Sequence, residues 1–229
     1  MLPEPAIRND VCTRLAQFDS ATVSNAIETL DVRPRTNGFA SGEIRCQLPE
    51  LPPMVGYAVT CTHRSGSESG RHTEIEDLLD LVHAATKPVA VVCQFVGTEP
   101  MRNGTVGDIF AVTLQRLGAV GLVTDSGCRD LAGIRRRAPG FQVFARGSVV
   151  SHGDGIICDA GVDVEVGGLA VKTGALLHGD ENGLVLIPDG LADEVAKAAA
   201  VVTGVEASLF ELLDAEPLDL PAVKQRFSH

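Results

Sequence analysis

The chain has 229 residues, 45% of them hydrophobic and 21% charged, with a formal charge of −11 and an isoelectric point near 4.9. This is a globular composition, so a disordered chain is excluded, and so is a surface that binds nucleic acid by neutralising phosphates with excess Lys and Arg. Without a polar linker a single domain is expected. No apolar stretch approaches the ~18 residues of a membrane span and no charged-then-apolar leader is seen, so neither membrane nor nucleic acid is expected as a partner. The six cysteines are scattered, with no CxxC. That suits reduced core thiols in the cytoplasm.

Taken in order, Val11 and Leu15 suggest a first short helix. Val23, Ala26, Ile27 and Leu30 fall on one face of a second, with Asp19 or Ser20 placed to cap it. Residues 31–53 read as loop, and Val55–Thr62 as a strand ending near His63. The segment 64–70 is polar and reads as a mobile loop. Thr73 and Glu76 fit a capping box ahead of a helix carrying Ile75, Leu78, Leu79 and Val82. Val89–Phe95 is an apolar run suited to a central strand. After a loop with three glycines, a helix begins near Asp108 with Ile109, Phe110, Thr113, Leu114 and Leu117 on one side. It leads into Gly118–Thr124, a buried strand bounded by glycines. Residues 89–124 therefore form a strand-helix-strand unit, parallel with a right-handed crossover if its strands share a sheet.

A short helix follows at Leu131–Ile134, with Arg135, Arg136 and Arg137 at its end, where cations complement the carbonyl dipole. Phe141–Ala145 reads as a strand. So do Val162–Val166, Leu169–Lys172, Ala175–Leu177 and Leu184–Ile187, short and Gly-broken as in antiparallel or mixed sheet. Leu191–Val202 is a last amphipathic helix, and the tail shows little periodicity.

Two adjacent pairs carry the chemistry. If Gly107-Asp108 opens a helix and Arg129-Asp130 ends the next strand, both lie at one edge of a parallel unit, where open α/β folds place their sites. The amides of Gly107, Asp108, Ile109 and Phe110 would then face a carboxylate. Arg129 adds a fork of donors to the same anion, and Asp130 offers oxygen to a hard divalent cation. Such a grouping suits reactions that develop negative charge on an oxygen next to a carboxylate. Plainer readings stand beside it: Asp130 as a helix cap, Arg129 as a surface ion pair, and Asp108 as an acid favoured in a first turn. The histidines show no metal-ligand spacing, and His83 reads as a half-buried helix residue. His152 and His178 flank Gly-rich turns within possible reach of the site. Cys128 reads as turn filler.

The run Gly107-Asp108-Ile109-Phe110, followed by Gly118 to Asp130, resembles the RraA-like family, which includes 4-hydroxy-4-methyl-2-oxoglutarate aldolases. Phe18–Ile27, Val55–Thr60, Phe144-Ala145-Arg146-Gly147, Val166–Val171 and Asp180–Pro188 resemble further family segments in the same order. The resemblance implies an α-β-β-α sandwich with a central mixed sheet over one domain, residues 1–229, with a core at about 15–205 and a tail at 214–229. It implies trimers or hexamers with clefts between subunits. Its function would be that of a class II, divalent-metal-dependent lyase on a small oxo-acid, by pyruvate-releasing aldol cleavage or oxaloacetate decarboxylation. Asp130 would hold Mg2+ or Mn2+, Arg129 would contact the keto oxygen, and Gly107–Phe110 would grip the carboxylate with Asp108 orienting a water. The alternative it implies is a non-catalytic regulator that binds a ribonuclease or another protein. Three positions are notable: the family's aldolases carry an acid where this chain has Gly133, often an Asp where it has Ala175, and usually an Asp in the first helix where it has Asn25.

Overall fold

The continuous apolar run Val89–Phe95 becomes the middle of the main sheet, covered on both sides. In the computed structural model, which describes residues 10–226 apart from Glu68 and Arg71, the run is strand β3 of an eight-stranded sheet. The chain enters through α1 (Asp10–Leu15) and α2 (Ser20–Thr29), then β1 (Arg45–Cys46), β2 (Met54–Ser65), α3 (Ile75–Ala84) and β3. A single 3-10 turn at Pro100–Arg102 precedes β4 (Gly104–Val106), α4 (Asp108–Arg116), β5 (Ala119–Thr124), β6 (Gly127–Cys128) and α5 (Leu131–Arg137). The second half holds β7 (Gln142–Ala145), β8 (Gly147–Ser148), β9 (Gly155–Ala160), β10 (Val164–Val166), β11 (Leu169–Val171), β12 (Leu176–Asp180) and β13 (Gly183–Ile187), then α6 (Ala192–Leu213) and α7 (Leu220–Arg226).

The main sheet runs β1-β7-β5-β3-β2-β12-β13, with β9 on the far end of β2. Strands β2, β3, β5 and β7 are parallel, and β1, β9, β12 and β13 run antiparallel to their neighbours. The expected β3-α4-β5 unit is thus parallel, and the Gly-broken strands after residue 160 are antiparallel, in β10–β11 and in β12–β13. Alternation along β3 divides the core. Val89, Val91 and Cys93 pack with Leu78, Val82, Ala111, Leu114 and Ile134 of α3, α4 and α5. Ala90 and Val92 pack with the β10–β11 hairpin and with Leu177 and Leu184. Helices α1, α2 and α6 close over Val55, Leu176, Val185 and Ile187. The result is the mixed α/β architecture expected, with helices outside and strands between.

Leu122 of β5 is fully buried within the α3–α5 side of the core. Leu122→Ala should therefore lower unfolding free energy by about 2–5 kcal/mol, through lost apolar burial and the cavity left behind. Urea denaturation monitored by circular dichroism reads it; a loss below about 1 kcal/mol would contradict this packing.

Several expectations are corrected. The capping box at Thr73 does not form: α3 starts at Ile75, its N-cap Glu74 makes no side-chain cap bond, and Thr73 donates to the Asp77 carboxylate instead. Ile109 does not join the buried side of α4 and is 82% exposed; Ala111 and Leu114 are the buried residues. Arg64 and Ser65, expected in a loop, extend β2, where they pair with the unanticipated β9; Glu68 of that segment lies outside the described residues. Helix α6 runs to Leu213, eleven residues past its expected end at Val202, because residues 203–213 are mostly good helix formers. Their apolar members Val205 and Phe210 face outward, which hides the amphipathic period. The tail forms α7, and its last three residues lie outside the described ones.

Candidate active site

Three short parallel strands carry the site. Val106 of β4 pairs with Cys128 of β6, and Cys128 with Ser148 of β8. Strand β4 feeds α4 through Gly107, while β6 feeds Arg129, Asp130 and α5. The Arg129 amide donates to the Val106 carbonyl at 2.9 Å, tying the two strand ends together. The sequence-marked pairs Gly107-Asp108 and Arg129-Asp130 are thus brought side by side, but by β4 and β6 of a second sheet: β5, the strand that Arg129-Asp130 were expected to end, stops at Thr124.

Gly107 is the N-cap of α4, extended at φ −124°, with no side chain to satisfy the helix start. The intrahelical ladder begins with Ala111 N–H on the Gly107 carbonyl. The amides of Asp108, Ile109 and Phe110 therefore lie outside it, at the positive end of the helix dipole.

Asp130 stands at the N-cap position of α5 but does not cap it. Its backbone is left-handed (φ 56°, ψ 31°), and its side chain makes no cap hydrogen bond. Left-handed backbone costs a non-glycine residue roughly 1–2 kcal/mol, and Asp tolerates it better than most. The consequence is a carboxylate turned away from its own helix: Oδ2 accepts from Arg129 Nε at 2.8 Å and lies over Gly107. The side chains of Arg129 and Asp130 are 30% and 37% exposed. Arg129 Nη1 reaches Val150 O only at 3.5 Å, too long to hold it firmly. Asp108 points elsewhere, over Gly133 and 3.6 Å from Arg137 Nε. Val150 and Ile109, 98% and 82% exposed, lie beside these residues in sequence or contact.

Beneath β4 and β6 lies a chain of hydrogen bonds that the sequence did not single out. His63 Nε2 is 3.0 Å from Thr105 Oγ1, which also meets Ser126 Oγ; Ser126 Oγ is 3.2 Å from Thr124 Oγ1. His63 stacks edge-on against Phe95 at 5.0 Å. Burial pushes its imidazole down from 6.5 to about 4, so it is neutral at pH 7. The only sequence signal was its place at the end of an apolar strand. Asn103, beside β4, keeps a buried Oδ1 without a hydrogen-bond partner.

Other candidates resolve as structural. His178 is fully buried below α1 and α2. Its Nε2 faces the Leu15 and Phe18 carbonyls, leaving Nδ1 to accept from Ser20 Oγ at 2.9 Å. Asp180 accepts from the amides of Ser20 and Asn182, so this Ser, His and Asp do not form a catalytic relay. The expectation that His178 approaches the site is therefore withdrawn, and His83 is exposed rather than half-buried. Asp125 accepts from the Phe95 amide, and burial raises its carboxyl. Burial likewise raises the Cys128 thiol, consistent with filler in the turn.

A sequence comparison places this geometry in a family. Residues 20–186 match the RraA-like family, described as Aldolase/RraA. The chain belongs to the RraA-like family. A relative from Halalkalibacterium halodurans, named as a candidate 4-hydroxy-4-methyl-2-oxoglutarate aldolase, is 30% identical over 186 residues, 80% of this chain and 83% of the relative. Among solved structures, an uncharacterized protein of Pseudomonas syringae shares the fold with a TM-score of 0.72 at 20% identity, over 99% of this chain and 98% of that one. Streptomyces coelicolor RraAS2, described as an unusual member of the RNase ES inhibitor RraA protein family, aligns with a TM-score of 0.68 at 23% identity, covering 87% and 96%. The RraA-like match runs from the start of α2 into β13 and includes both site pairs. No helix among the described residues is long and apolar enough to cross a membrane.

Proposed function

We propose that this RraA-like protein is a divalent-metal-dependent lyase of a small oxo-acid, releasing pyruvate by retro-aldol cleavage or by decarboxylation of oxaloacetate. The observation that carries the reading is the meeting, at the ends of β4 and β6, of open helix amides, the Arg129 fork and the outward-turned Asp130 carboxylate. The aldolase name borne by the 30%-identical relative supports it.

The substrate's 2-oxo carboxylate docks on the amides of Asp108, Ile109 and Phe110, and Arg129 Nη donors meet its keto oxygen. In aldol cleavage the 4-hydroxyl passes its proton to water, the C3–C4 bond breaks and C4 leaves as the carbonyl of the second product. The electron pair stays with the pyruvyl half as an enolate, which takes up a proton at C3 to become pyruvate. Negative charge grows on the former keto oxygen, and Arg129 stabilises it there. Among the described residues no three His, Cys, Asp or Glu side chains gather as a metal cage. A single carboxylate oxygen with water filling the shell suits Mg2+ or Mn2+ rather than zinc, so the donors fit, with Asp130 as the ligand. When bound, such an ion supplies positive charge next to the keto and carboxylate oxygens. In this reading a second copy in a trimer or hexamer completes the cleft and covers the exposed Ile109 and Val150.

Pyruvate release followed through lactate dehydrogenase tests the reading. Turnover of oxaloacetate or 4-hydroxy-4-methyl-2-oxoglutarate should exceed background with Mg2+, disappear with EDTA and return with excess Mg2+. No release from oxaloacetate or from any hydroxy-oxo-diacid would sink it. The charge of −11 favours a second reading, a regulator docking on a basic surface such as a ribonuclease's. Binding to a ribonuclease without lyase turnover would favour that one.

A further inference from the structure

The two glycines at this site are each filled by the other element's acid. A Cβ on Gly107 would stand 2.7 Å from Asp130 Oδ2. One on Gly133 would stand 2.6 Å from Asp108 Oδ2, 2.9 Å from its Cβ and 3.0 Å from its Cγ. The pairing is reciprocal: Asp108 follows Gly107, and Gly133 lies one helical turn after Asp130. Neither glycine is required by its own backbone, since Gly107 is extended and Gly133 lies inside α5 without a positive φ. In a helix interior Gly is less favourable than Ala. What recommends it at position 133, which is buried, is the room it leaves for Asp108.

We propose that Gly107 and Gly133 are positioning residues of an interlock that sets the starts of α4 and α5 against each other. The Asp130 carboxylate enters the notch left by Gly107, which turns it toward Arg129 Nε. The Asp108 side chain enters the notch left by Gly133, which turns it across α5 toward Arg137 and off the cleft. The second notch is the stiffer. Its closest contacts include Asp108 Cβ, an atom fixed by the backbone, so no rotation of the Asp108 side chain could clear a methyl group at 133. Helix α4 would have to slide along α5, carrying the amides of residues 108–110 away from Arg129 and Asp130. Asp108 is therefore part of the frame of the site. Its catalytic consequence rests on the lyase reading above; the interlock itself does not.

The variants Gly133→Ala, Asp108→Gly and the double variant separate the two. From propensity alone, alanine in a helix should raise the melting temperature. The interlock predicts that Gly133→Ala lowers it by at least about 2 °C. In the Asp108→Gly background, which lacks the Cβ as well as the carboxylate, the same substitution should lose most of that penalty. Amide 1H–15N spectra should show residues 107–110 and 129–131 shifting together in Gly133→Ala. In folded Gly133→Ala, kcat for pyruvate release should fall at least about tenfold, more than Mn2+ affinity measured calorimetrically with the metal alone. A melting temperature at or above wild type, an equal penalty in both backgrounds, or undisplaced amides would overturn the interlock. An unchanged kcat in folded Gly133→Ala would overturn its positioning role. If wild type neither binds Mn2+ nor releases pyruvate, the lyase reading fails, while melting and spectra still decide the interlock.

Discussion

Arg129→Ala should lower kcat for pyruvate release by about 100- to 1,000-fold, the usual cost of removing one donor aimed at a developing oxyanion. The argument is geometric. Arg129 leaves β6 beside the open amides of α4, and only its Nε is engaged, on Asp130 at 2.8 Å. Among the described residues the one hydrogen bond of its Nη groups is the 3.5 Å contact to Val150 O. Folding should barely notice the change, because a half-exposed ion pair contributes only about 0–1 kcal/mol. Arg129→Lys keeps the charge but loses the planar fork, so it should recover little of the rate. Background-corrected turnover and melting temperatures of both variants give the check. An Arg129→Ala enzyme within tenfold of wild type would remove the residue from the reaction.

The second large effect concerns acid stability, and it arises from His63. The imidazole is buried and its folded value lies near 4, below the ordinary 6.5. Between about pH 4 and 6.5 the unfolded chain takes up a proton at this residue that the folded chain refuses. Unfolding free energy therefore rises with pH across that window. The contribution is complete above about pH 6.5 and lost as the pH falls through about 4. A displacement of that size is worth about 3 kcal/mol. His178, also lowered by burial, acts in the same direction. Urea denaturation from pH 7.5 to 4.5 should show this slope, and His63→Gln should flatten it whatever its own baseline stability. An identical slope in wild type and His63→Gln would show that the acid sensitivity lies elsewhere.

How much of this was legible in the sequence depends on whether a feature is local. Strand β3 matches its sequence-predicted bounds because Val89–Phe95 is apolar on both faces, and β5 because glycine brackets it. The start of α4 at Asp108 was legible from its pattern, but the short strands β4 and β6 that bring Gly107-Asp108 beside Arg129-Asp130 lie in a second sheet that the sequence did not show. Features set by distant partners were likewise not legible. Strand β9 exists because Ile156 and Ile157 meet Arg64 and His63 at the end of β2, across about ninety residues of chain. Thr73 has the sequence of a cap, yet the Asp77 carboxylate drew its hydroxyl. The left-handed turn at Asp130 decides between a helix cap and an outward carboxylate, and nothing in the string Cys128-Arg129-Asp130-Leu131 reports it. The complementarity of Gly107 with Asp130 and of Gly133 with Asp108 is likewise a contact between elements, invisible until α4 and α5 are placed.

The central claim is one of place: carboxylate on the α4 amides, keto oxygen on Arg129, cation on Asp130. Crystals soaked with Mn2+ and pyruvate test it most directly through anomalous scattering. The account predicts a manganese peak at Asp130 and pyruvate density with its carboxylate against the amides of residues 108–110. Manganese and pyruvate bound away from Arg129 and Asp130, in a protein that still releases pyruvate, would contradict it.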